Sequence, residues 1–256
     1  MNQKEPEKPW NGPRLYVAVG AVALGVLIYL IGLPGSVSLF GTPLADLTVP
    51  IALFVGTAGV AITASTAKAG RWRVVDIVVA SVLGVAGGLI FAAWNVASTP
   101  LREAMVPPVS ALVVGVWLFP AVLGALVVRR PGAAVYTELV AASLSALVGN
   151  EWGFSTVWYG IVEGMGAEVV FALLLYRSYG LVTSLLAGAG AGVAVGLLDT
   201  VIYYPELAAG TKLVYVVVAM ASGVVIAGLG SWLLTQALAR TGALAPLASG
   251  RTAERV

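Results

Sequence analysis

From Val109 to Val128 the chain runs twenty residues without a charged side chain, and apolar runs of this kind recur along its length. Backbone N–H and C=O groups in hydrocarbon must be satisfied inside the spanning structure, which leaves helices or a closed barrel. The runs are continuous rather than alternating, and that selects helices. Composition agrees: 59% of the 256 residues are hydrophobic, 10% are charged and the mean hydropathy is +0.97, so lipid must be the solvent for most of the surface. Eight spans are predicted, at 15–33, 47–66, 74–97, 109–128, 133–149, 155–176, 181–204 and 212–238. The chain reads as an all-α polytopic membrane bundle. The first run is too long for a signal-peptide core and no small-residue cleavage site follows it, so it is read as an uncleaved span. Residues 1–14 and 240–256 are read as polar tails.

Basic residues fix the orientation. With the N-terminus inside, the cytoplasmic segments hold Lys4, Lys8, Arg14, Lys68, Arg71, Arg73, Arg129, Arg130, Arg177, Arg240, Arg251 and Arg255, while the outer segments hold only Arg102 and Lys212. That twelve-to-two split of the 14 basic residues supports an even number of spans in a cell-membrane protein with both termini cytoplasmic. A net charge of +2 is too small to argue for nucleic acid. The chain has no cysteine and no histidine, which removes thiolate chemistry, the commonest metal ligand and the usual general base. No catalytic constellation, phosphate-binding loop or cofactor motif appears, so ATP hydrolysis would have to come from another chain.

The polar groups inside the spans carry the functional argument. A charged residue at membrane depth is costly and normally faces a partner, a cavity or a ligand. Trp158–Arg177 holds two acids, Glu163 and Glu168, which point roughly 140° apart on a helix and so do not clasp the same atom. Tyr159 shares the face of Glu163, one turn away. On the predicted topology Glu163 lies roughly 12 Å and Asp199 roughly 8 Å below the outer surface. Tyr203 lies one turn from Asp199. Trp94 and Asn95, Trp117 and Trp158 fall in the same outer half. Taken singly, Trp158, Tyr203 and Tyr204 read as headgroup-level aromatics. Taken with the acids, the set reads as the wall of one outward-opening pocket, suited to a flat cationic or amine-bearing molecule. Glu168 lies past the midplane, Glu138 enters from the cytoplasmic side and reads as structural, and Glu151 and Trp152 read as loop. Ala80, Gly84 and Gly88 form a small-residue groove on the span at 74–97, the arrangement that lets membrane helices touch closely.

Four segments carry a resemblance to a known family: FAAWN at 91–95, VVRRPGAAVYTELVAASLSALVGNEWG at 127–153, GIVEGMGAEVVFALLLYRSYG at 160–180 and LARTGALAPLASG at 238–250. The chain resembles the substrate-binding S components of energy-coupling factor (ECF) importers, of the YkoE type. The resemblance implies a six-helix membrane domain, 74–239, that binds thiamine or its hydroxymethylpyrimidine precursor. It also implies two kinds of partner, a transmembrane coupling subunit and paired ATPase subunits. The spans within 15–73 have no counterpart in that core and are read as an added N-terminal hairpin. The groove at Ala80, Gly84 and Gly88 would then dock the coupling subunit. Two other readings stay open at this point: a proton-coupled secondary transporter using Glu163, Glu168 and Asp199 as a relay, and a membrane anchor with no small ligand.

Overall fold

A computed structural model describes residues 71–250 together with short pieces at 20, 23–24, 38–39 and 42–43, where Ser38–Leu39 pairs antiparallel with Thr42–Pro43. The predicted spans at 15–33 and 47–66 and the tail at 1–14 lie outside the described residues. From residue 74 onward the fold is helical, in six segments: α1 (Val74–Ala104), α2 (Pro107–Val128), α3 (Ala133–Val148), α4 (Ser155–Leu173), α5 (Leu181–Ile202) and α6 (Ala209–Arg240). Five are long and apolar enough to cross a membrane; α3 is shorter, at 16 residues. Large apolar side chains such as Val78, Val82 and Leu89 on α1 and Val225 and Leu233 on α6 face outward, as a lipid-facing surface requires.

α2 is central, and α1, α3, α4, α5 and α6 follow one another around it. Its interior position comes with an irregular backbone: an α turn at Pro107–Ser110, a 3₁₀ stretch at Ala111–Val116 and a regular helix from Phe119, with Pro120 in its first turn. Broken helix is tolerated at membrane depth only where protein satisfies the freed groups. Ser222 of α6 does so for the 3₁₀ stretch, accepting the Gly115 amide at 3.0 Å and donating to the Leu112 carbonyl at 2.6 Å. Glu138 of α3 accepts the Ala121 amide at 2.7 Å. α6 carries its own irregularity, a π-helical stretch at Gly223–Leu229, where it crosses α5. Gly188 and Gly223 meet backbone to backbone there: a Cβ on either would stand within 2.3 Å of the other's carbonyl oxygen.

Three features correct the sequence reading. The small-residue groove is not a free docking face. Ala80 is fully buried, a Cβ on Gly84 would sit 2.6 Å from Val140 Cβ, and one on Gly88 would sit 2.8 Å from the Ala141 carbonyl. The groove is filled by α3 of the same chain. Second, α1 does not stop at 97 but runs through Pro100 to Ala104. Thr99 Oγ1 donates to the Asn95 carbonyl at 2.7 Å, engaging one of the carbonyls in the turn before the proline. Third, the segment after Arg240, read as a polar tail, packs against the bundle as far as Gly250. Leu244 and Leu247 are buried against Ala80, Leu123 and Val127, and Ser249 Oγ donates to the Val127 carbonyl at 2.7 Å. This end of the bundle is closed by ions as well: fully buried Asp76 pairs with Arg73 at 2.6 Å and with Arg130 at 2.8 Å.

Candidate functional site

At the end opposite Arg130, the helices splay around a cavity of about 430 Å³. Small-molecule sites typically enclose roughly 300–1,000 Å³. Every segment lines it: Phe91 and Arg102 from α1, Ser110, Val114 and Trp117 from α2, Ala142 from α3, Thr156, Tyr159 and Glu163 from α4, Val195 and Asp199 from α5, and Tyr215 from α6. Glu103 lines it from the last turn of α1, Trp152 from the turn before α4, and Tyr203 and Tyr204 from the end of α5.

The floor is acidic. Glu163 and Asp199 are 6% and 7% exposed, and both line the cavity. Asp199 accepts the Tyr215 hydroxyl at 2.7 Å. Tyr159 stacks on Tyr203 with centroids 5.8 Å apart, and its buried hydroxyl faces Asp199. No hydrogen bond from a described residue reaches the Glu163 carboxylate. Glu138 stands behind Glu163, fully buried, with one oxygen on the Ala121 amide and the other unpartnered. Gly160 and Gly164 let α3 come this close, since a Cβ on Gly164 would be 2.8 Å from Val135 Cα.

The mouth is aromatic and carries a cation. Trp117 meets Trp152 edge to face at 5.9 Å and Trp94 at 6.4 Å. The Arg102 guanidinium lies over both Trp117 and Trp152 and pairs with Glu151. A chain of side-chain amides holds the Trp117 indole and the Trp152 backbone. Trp117 Nε1 donates to Asn95 Oδ1 at 2.8 Å, and Asn95 Nδ2 donates to Ser145 Oγ at 3.1 Å. Asn150 Nδ2 also donates to Ser145 Oγ, at 3.2 Å, while Asn150 Oδ1 accepts the Trp152 amide at 2.9 Å.

Of the residues the sequence nominated, Trp117, Tyr159, Glu163, Asp199 and Tyr203 line the cavity. Asn95 and Trp94 brace Trp117 from behind rather than facing the space. Trp158 is half-buried on α4 and is not part of the lining. Glu168 lies at the other end of α4, where its oxygens accept the Gly132 and Ala134 amides at 2.6 and 3.0 Å. Sequence reasoning missed Arg102, because Pro100 suggested that the helix had ended, and Trp152, because it falls in a turn. It also missed Tyr215, whose position one turn into the last span put it at the depth of Asp199.

Comparison with known proteins places this architecture. A family model described as an ABC-type cobalt transport system permease component matches residues 75–194. A protein named as an HMP/thiamine permease, YkoE of Bacillus subtilis (strain 168), is 32% identical over 181 residues, covering 70% of this chain and 91% of that protein. A crystal structure described as an S-component of an ECF transporter matches with a TM-score of 0.70 at 31% identity, over 72% of this chain and 94% of its own.

Proposed function

Because the chain belongs to the S components of ECF transporters, we propose that it captures thiamine or its hydroxymethylpyrimidine precursor in the cavity above Glu163 and Asp199. The observation that carries this reading is Glu163: a carboxylate 6% exposed, lining the cavity, with no hydrogen bond from a described residue. An acid at membrane depth is costly, and a ligand that donates to it or carries positive charge offsets that cost. Both ligands bear an aminopyrimidine whose exocyclic amine donates hydrogen bonds, and thiamine adds a cationic ring. Tyr159, Tyr203 and Trp117 supply faces on which either ring can stack. The relative from Bacillus subtilis, named for HMP and thiamine, supports this ligand class.

Arg73, Arg129 and Arg130 lie at the end away from the cavity, and the preference of basic residues for the cytoplasmic side supports a reading in which the cavity opens outward. The chain is the capture subunit. A transmembrane coupling subunit and separate ATPase subunits supply the work of import. The test uses the full chain purified alone in detergent. Mass spectrometry identifies any ligand that co-purifies, and calorimetry with thiamine and with hydroxymethylpyrimidine gives the affinities. Tight binding of either, with no uptake by the lone chain in liposomes, is the expected result. Proton-driven uptake by the lone chain would replace this reading with a secondary transporter, and binding of neither ligand would refute it.

A further inference from the structure

The mouth of the cavity already holds a flat cation. Arg102 Cζ is 4.8 Å from the Trp152 ring centroid and 5.9 Å from that of Trp117, and its guanidinium borders the cavity. A planar delocalised cation against indole faces is the geometry of cation–π recognition. Two observations separate the walls from their occupant. The walls have supports of their own: Asn95 holds the Trp117 indole, Asn150 holds the backbone amide of Trp152, and Ser145 joins the two asparagines. Arg102 itself is held by groups outside the two rings, chiefly the half-exposed Glu151. Its side chain is 24% exposed and its ion-pair partner Glu151 is 49% exposed, and exposed ion pairs contribute little. Its other polar contacts are to its own helix, 3.4 Å to Ser98 Oγ and 3.2 Å to Thr99 Oγ1.

We propose that Trp117 and Trp152 form a planar-cation subsite at the mouth of the cavity, and that Arg102 is its intramolecular occupant, displaced when a ligand's cationic ring enters. The proposal rests on the reading of this cavity as the ligand site and sharpens its ligand class. The cavity takes a molecule with an amine-bearing ring at the acidic floor and a flat, delocalised cation at the mouth. A neutral single-ring ligand uses the floor alone and leaves Arg102 in place. Among molecules long enough to reach the mouth, Arg102 thereby selects against those that cannot compete with a guanidinium for two indoles.

The experiment probes the subsite directly with small cations, so that it does not depend on the natural ligand. Ethylguanidinium and an N-alkylthiazolium salt are titrated into the full chain in detergent, with tryptophan emission and calorimetry as readouts and neutral ethylurea as the control. Wild type should bind both cations weakly. Arg102→Ala should bind them at least tenfold more tightly, with no gain for ethylurea, and adding Trp152→Ala should abolish the gain. Arg102→Gln, which keeps a polar side chain within reach of Ser98 and Thr99, should show the same gain and guards against misfolding of the alanine variant. Equal or weaker cation binding in folded Arg102→Ala and Arg102→Gln, or a gain that survives loss of Trp152, would overturn the proposal. Failure of wild type to bind thiamine or hydroxymethylpyrimidine would instead overturn the functional reading, while the cation titrations still decide the subsite.

Discussion

Glu168 of α4 accepts the amide proton of Gly132 at 2.6 Å, and with its second oxygen that of Ala134 at 3.0 Å, so one helix caps the start of another. The first amides of a helix have no partner within it, and a carboxylate beside them is favoured by the helix dipole as well. Gly132 sits at φ 83°, a left-handed conformation that puts its amide in reach and disfavours a side chain. The two sequence segments RRPGAA and GMGAE meet here, at the end away from the cavity. Glu168→Leu should therefore destabilise the bundle by about 1–3 kcal/mol for each amide left unsatisfied. Chemical denaturation in detergent measures the loss. Ligand affinity of the folded fraction should stay at the wild-type value; a selective loss of affinity would assign Glu168 to the site after all.

Glu163→Gln and Asp199→Asn should each weaken binding of an amine-bearing or cationic ligand. A charge-assisted hydrogen bond is worth about 1.5–3 kcal/mol, which corresponds to roughly 10–150-fold in affinity. Both substitutions nearly preserve shape, and Asp199→Asn still offers an oxygen to Tyr215. Calorimetric titration of both variants with thiamine checks this, and unchanged affinity in both would remove the acids from the site.

Gly84→Leu should damage folding rather than partner assembly. Its first added carbon would stand 2.6 Å from Val140 Cβ and 2.9 Å from the Thr137 carbonyl. Overpacking of this kind costs about 1–3 kcal/mol or more. Ala86 lies on the exposed face of the same helix, so Ala86→Leu serves as the comparison. Thermal unfolding should separate the two. A stable Gly84→Leu bundle that fails only to join the coupling subunit would restore the groove as a docking face.

Removing residues 241–256 should lower stability without changing ligand affinity. Leu244 and Leu247 are buried against the Arg130 end of the bundle, remote from the cavity. Full burial of a leucine contributes about 1.5–3 kcal/mol. A melting curve and a binding titration on the truncated protein give both quantities.

Removing residues 1–70 should preserve the site, because its lining begins at Phe91. The cut must spare Trp72, which donates to the Pro131 carbonyl at 2.9 Å, and Arg73, which pairs with Asp76. A truncated chain that folds yet binds no ligand would show that the N-terminal region contributes to the pocket.

The apolar runs by themselves determined that this is a helical membrane protein, and the distribution of basic residues proposed its orientation. Both follow from a solvent that charges individual residues a large cost, so composition along the chain is read almost directly. The acids at 163 and 199 were legible for the same reason. Tertiary structure alone decided what each polar residue meets. Glu163 and Glu168 lie on one helix and look alike in sequence, yet one lines a cavity and the other caps α3, because their neighbours come from segments distant in the chain. Gly84 and Gly88 read in sequence as a docking groove, yet Val140 and Leu144 of α3 lie against them. Arg102 and Trp152 lie 50 positions apart in the sequence. Only the continuation of α1 through Pro100 and the Asn95–Ser145–Asn150 bridge bring the guanidinium over the ring. Depth in a membrane is a property of a residue and its local run. Partnership is a property of the packing, and no one-dimensional pattern encodes it.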